Sequence, residues 1–108
     1  MKLPTKLQVD NLLEHYHNFR YSEAEKLALS MNEEFTNFPI SWKVLGAILM
    51  RTCRMQQALD VHQKVVKLVP QDFEAHYDLG LTLQELGKFQ ESELSLRRAV
   101  ELLSLIPI

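Results

Sequence analysis

The feature that most constrains this chain is a repeat of period 34. Ala24, Ala58 and Ser92 are spaced by that interval and are all small, whereas Tyr21, Met55 and Phe89 follow the same interval and are all large and apolar. Phe35, Val69 and Leu103 form a third set, Glu23, Gln57 and Glu91 a fourth, and Leu45, Gly46 and Leu49 recur as Leu79, Gly80 and Leu83. Self-similarity at this period indicates an array of supersecondary units, each too small to bury its apolar face alone. Within each period the apolar residues recur at intervals of three and four, which places them on one face of a helix. Trp42, Leu45 and Leu49 make one stripe, and Ala58, Val61, Val65 and Leu68 the next. Tyr77, Leu79, Leu83 and Leu86, followed by Leu94, Leu96, Ala99, Val100 and Leu103, repeat the arrangement. Strand alternation is missing.

The spacing predicts six helices, at about 5–18, 21–36, 39–52, 55–69, 73–86 and 89–104, with ends good to a few residues. Gly87 suits a helix C-cap in the left-handed conformation. Pro4 and Pro39 suit first-turn positions, Ser22 with Glu25 makes a capping-box pattern, and Pro70 ends the fourth helix. Two antiparallel helices joined by a short turn must cross closely, so Gly46 is expected against Ala58, and Gly80 against Ser92.

Composition sets the remaining bounds. Of 108 residues 46% are hydrophobic and three are Gly, which suits one packed domain rather than a disordered chain. The net charge of −2 gives no basic field for nucleic acid, and no apolar run is long enough to span a membrane. The single Cys53 cannot form an internal disulfide, and a soluble cytoplasmic protein is expected. His15 and His17 point away from each other on a helix, so neither a metal site nor a cofactor is expected. Cys53 lies beside Arg51 and Arg54, which would favour its thiolate, yet a small residue in a helix turn is the simpler account. His62 and His76 read as packed between helices, and Glu33, Glu34, Glu91 and Glu93 as solvated faces. No catalytic constellation emerges, and the chain itself is not expected to be an enzyme.

The residues from 39 onward resemble the tetratricopeptide repeat. Trp42, Leu45, Gly46, Ala58 and Pro70 occupy signature positions of that family in one unit, and Leu79, Gly80 and Ala99 in the next. The first unit keeps only Ala24 and diverges most in its first helix. The resemblance implies an all-α fold, a short right-handed superhelical solenoid of three helix-turn-helix repeats. It divides the single domain 1–108 into a divergent unit at about 5–38, a strong one at 39–72 and a good one at 73–106.

What the resemblance implies about function is a non-catalytic protein-interaction module. The first helix of each unit would line a concave groove holding a peptide or a helical segment with apolar anchors. Carried onto this chain, that groove is Val9, Leu13 and Tyr16, then Lys43, Ala47, Met50 and Arg51, then Tyr77, Leu81 and Gln84, with Glu74 and Glu85 beside them. Leu13, Ala47 and Leu81 stand where relatives that clamp a terminal carboxylate carry Asn, and Asp10, Val44 and Asp78 where others carry an Asn ladder. Both of those binding modes are therefore unexpected. Residues 12–29 and 38–49 also resemble the repeat arm that precedes bacterial glycosyltransferase or sulfotransferase domains, which would make the chain a substrate-presenting arm. A third alternative is self-association. Leu94, Leu102, Leu103, Leu105, Ile106 and Ile108 form more apolar surface than one helix covers, so either a homodimer through residues 94–108 or a fold-back of the tail is expected.

Overall fold

A computed structural model describes residues 2–108 and contains six helices: α1 (Lys6–His17), α2 (Tyr21–Glu34), α3 (Pro39–Arg51), α4 (Met55–Leu68), α5 (Phe73–Glu85) and α6 (Phe89–Ser104). No strand occurs among the described residues. The helices pair as three hairpins, and each later hairpin packs its first helix on the second helix of the one before.

The turn inside each hairpin is the same backbone motif, repeated at the sequence period. Phe19, Cys53 and Gly87 all adopt positive φ, at 60°, 60° and 77°. The following amides close the turn in one pattern, Arg20 N to His15 O at 2.9 Å, Arg54 N to Leu49 O at 2.8 Å and Lys88 N to Leu83 O at 2.9 Å. These bonds satisfy helix-end carbonyls in the manner of a Schellman cap. Only Gly87 reaches this conformation without the steric cost that Cβ imposes, on the order of 1 kcal/mol at Phe19 and Cys53. The same local hydrogen bonds close the turn at all three positions.

The helix starts differ from the capping expectations. Ser22 and Glu25 form no capping box, because α2 begins at Tyr21 with Arg20 as its N-cap, two residues before the start that Ser22 would cap, and Glu25 bonds instead to Arg54 at the start of α4. The capping box lies at Thr5 and Gln8, whose side chains bond reciprocally to each other's backbone amides. Thr5 is thus the N-cap, and Pro4 precedes it rather than entering the first turn. Pro39 does occupy the first turn of α3.

One continuous core joins α1 to α4, built from Leu12, Ala24, Ala28, Met31, Phe35, Val44, Leu45, Ile48, Leu49, Ala58, Val61 and Val65, with Ala75 of α5 at its edge. Gly46 faces His62 rather than Ala58, one turn further along α4: a Cβ on Gly46 would lie 2.6 Å from the His62 ring. Gly80 repeats the geometry, since its Cβ would lie 2.6 Å from Leu96, while Ser92 Oγ donates to Gly80 O at 2.7 Å. His62 is buried with Nε2 unpartnered among the described residues, and desolvation lowers its pKa to about 4. His76 is half-buried with Nε2 2.9 Å from Pro70 O.

The third hairpin departs from the expected stripe. Ala99 and Leu102 are buried, but Leu94, Val100 and Leu103 face solvent. Leu102 therefore belongs to the core and not to an exposed patch. Leu105, Ile106 and Ile108 are also exposed, so the tail does not fold back over α6.

Candidate protein-binding cleft

The first helices of the hairpins do not stand at equal spacing. α1 packs directly on α3, whereas α3 and α5 scarcely touch and are held apart by α4. A cleft of about 500 Å³ opens between them. Its apolar surface comes from Ala47 and Met50 of α3, Met55 at the start of α4 and Leu81 of α5. Tyr16 closes the end toward α1, and Arg51, Glu74, Asp78 and Glu85 supply its charge.

Helical spacing explains the two walls. Glu74, Asp78, Leu81 and Glu85 follow at intervals of four, three and four, so one face of α5 carries three carboxylates around one apolar side chain. On α3 the same logic groups Ala47, Met50 and Arg51. Arg51 Nε donates to the Tyr16 hydroxyl at 3.1 Å, and its guanidinium lies 6.0 Å from the Tyr16 ring centroid. That hydrogen bond and the phenol's proximity raise the Arg51 pKa further. Lys43 is bound to Asp72, the N-cap of α5, in an ion pair that ties the two walls together. Burial opposes ionisation of Asp72, but Lys43 and the amides of Glu74 and Ala75 outweigh it and hold the carboxyl below its usual range.

Asp78 has no such support. Burial, reinforced by Glu74 and Asp72 and only partly offset by Lys43, pushes its pKa up to about 6. Among the described residues it forms no salt bridge; Thr82 Oγ1 donates to its backbone carbonyl and leaves the carboxylate unpaired.

The structure brings together seven of the residues expected in or beside a groove, Tyr16, Ala47, Met50, Arg51, Glu74, Leu81 and Glu85. Val9 and Leu13 instead pack half-buried against the core, because α1 lies directly on α3. Lys43 sits half-buried beside the cleft in its ion pair. Tyr77 and Gln84 lie outside it, on the α5–α6 face. Tyr77 lines a depression of about 390 Å³ with Phe73, Leu96 and Leu103, and Gln84 another of about 520 Å³ with Phe89 and Leu96. Met55 and Asp78 were not expected as lining residues. The spacing of Asp78 from Glu74 and Leu81 carried the signal for one; nothing local marks Met55, whose role depends on how α4 enters the gap.

Among the described residues no cluster of three or more His, Cys, Asp or Glu could hold a metal ion, and no helix is long and apolar enough to cross a membrane. The three stacked hairpins define the fold as an all-α helical-repeat solenoid. No protein-family profile matches the sequence, and no curated protein is similar to it. Solved structures match it closely in shape. They include the type III secretion translocator chaperone SycD of Yersinia enterocolitica, at TM-score 0.87 and 17% identity over 94% of this chain and 77% of that one. MamA from AMB-1 matches at TM-score 0.86 and 19% identity over 95% of this chain and 56% of that one. MamA of Desulfovibrio magneticus RS-1 matches at TM-score 0.81 and 22% identity over 88% of this chain and 54% of that one. The chain thus spans just over half the length of the MamA chains.

Proposed function

We propose that residues 1–108 act as one non-catalytic protein-binding module of three repeat units, at about 5–38, 39–72 and 73–106, which holds a peptide or helical segment in the α3–α5 cleft. The observation that carries this reading is the cleft itself, an apolar centre of Ala47, Met50, Met55 and Leu81 left open by the separation of α3 and α5. Apolar side chains in a preformed groove are the usual anchor sites for short segments. The likeness in fold to a translocator chaperone supports a protein partner. Capture from native lysate is expected to retain a partner with wild type and with Lys64→Glu or Arg98→Glu, and to lose it with Leu81→Glu or Met50→Glu at unchanged helical content. The reverse pattern would overturn the reading.

A second reading, self-association through residues 94–108, rests on the exposure of Leu94, Val100, Leu103, Leu105 and Ile106. The SycD structure, solved as an alternative dimer, supports it by likeness of fold. Because Leu102 is buried, the informative variant is Val100→Lys with Ile106→Lys. Sedimentation should show wild type gaining mass with concentration and the variant remaining monomeric; a wild-type monomer at high micromolar concentration would remove this reading. The reading as a transferase arm is favoured by no feature of the fold, since the same solenoid would serve either role.

A further inference from the structure

The cleft is electrically lopsided. Its lining holds three carboxylates, Glu74, Asp78 and Glu85, against one cation, Arg51, which is turned toward the Tyr16 hydroxyl at the α1 end of the cleft rather than toward the α5 carboxylates. Lys43, the nearest other cation, is committed to Asp72. The α5 wall therefore presents negative charge with no internal partner, set beside the apolar Leu81. We propose, on the basis of the binding function above, that the cleft selects a segment bearing Lys or Arg next to an apolar side chain, with the apolar group over Ala47, Met50 and Leu81 and the cation between Glu74 and Asp78. Charge complementarity of this kind governs which partner is accepted and excludes acidic ones. The volume, about 500 Å³, suits a few side chains of a short segment.

The raised pKa of Asp78 adds a signature that a merely sticky surface would lack. The groups facing Asp78 are Glu74 on its own helix, Asp72 at the cap, and Lys43 across the gap, and an arriving cation joins them as a second favourable charge. Asp78 must be ionised to pair with it. Above about pH 6 it already is; below, binding must expel a proton. Affinity for a basic segment should fall about tenfold between pH 7 and pH 5, one pKa unit being a factor of ten.

The test uses three fluorescein-labelled dodecapeptides of alternating Leu with Lys, Gln or Glu, titrated against the full chain by polarisation. The Leu/Lys peptide should bind at least tenfold more tightly than Leu/Gln, and Leu/Glu least. Asp78→Asn should bring Leu/Lys down to the Leu/Gln level and remove the pH dependence, Glu74→Gln should weaken Leu/Lys and move the pH dependence to lower pH, and Glu91→Gln on the exposed start of α6 should change neither. Equal binding of all three peptides, weakened alike by Met50→Ser, would overturn the cation preference and leave the cleft as the binding site. Absence of binding by every peptide, or binding indifferent to Met50→Ser, would overturn the cleft reading as well. A loss with Glu91→Gln equal to that with Asp78→Asn would reduce the preference to general charge attraction and overturn the site.

Discussion

The hairpins α3–α4 and α5–α6 share one repeat register but not one environment. Val66 is half-buried and Val100 exposed; Val69 is half-buried and Leu103 exposed; Met55 is half-buried and the larger Phe89 exposed. Each pair is separated by one period, so the residue types agree while the burial does not. The difference lies in neighbours. α3–α4 is packed on both sides, by α2 and α5, whereas no described element covers the outer face of α6. In a solenoid the stability of a unit is its own plus that of its interfaces, and the third hairpin has one interface where the second has two.

The largest effect that would test this comparison comes from the middle of the array. Ile48 is fully buried, and Ile48→Ala should cost about 2–5 kcal/mol in urea unfolding. Val100→Ala, on the open face, should stay within about 0.5 kcal/mol. Comparable losses at the two positions would show that the outer face of α6 is covered in solution.

Next comes the pairing of Gly46 with His62 against that of Gly80 with Leu96. The folded-state pKa of His62, about 4, lies below the ordinary value of 6.5, so between these values the unfolded chain binds the extra proton. The contribution of His62 is therefore lost as pH falls from 6.5 toward 4, by about 3 kcal/mol at the lower limit. Asp78 acts in the opposite direction: its pKa is raised from 3.8 to about 6, which favours the folded state as pH falls through that window. His62→Leu, which copies the third hairpin, should remove the His62 part of the acid loss and leave the opposing trend of Asp78 together with the acid loss from Glu25 and Asp72, whose carboxyls are held below their ordinary range. An unchanged pH profile for His62→Leu would assign acid sensitivity to other groups.

Smaller effects separate Ala58 from its counterpart Ser92. Ala58 has no exposed surface, so Ala58→Leu should overpack the hairpin at about 1–3 kcal/mol. Ser92→Ala should lose about 0.5–1.5 kcal/mol, since it removes the buried hydroxyl bonded to Gly80 O. Thermal unfolding of both variants would show whether the two crossings are equally tight; a neutral Ala58→Leu would mean that the second hairpin has room to spare.

Much of this was legible in the residues alone. The period of 34 and the three-and-four spacing determined six helices, their order and every end to within two residues, because amphipathic periodicity and the need of small residues at helix crossings act locally and recur in every unit. The resemblance to a repeat family also placed Ala47, Met50, Arg51 and Leu81 along one groove on the first helices. It did not determine which of those faces would stay open. Phe19 and Cys53 show no sign in isolation of the left-handed turn they share with Gly87, and Ser22 with Glu25 has the form of a cap that the geometry does not use. Val9 and Leu13 pack half-buried against the core because α1 settled on α3, while Asp78 and Met55 became cleft because α5 stood away from it. Such choices depend on the angle and distance at which one hairpin meets the next, quantities set by packing between residues far apart in the chain, and only the tertiary structure decides them.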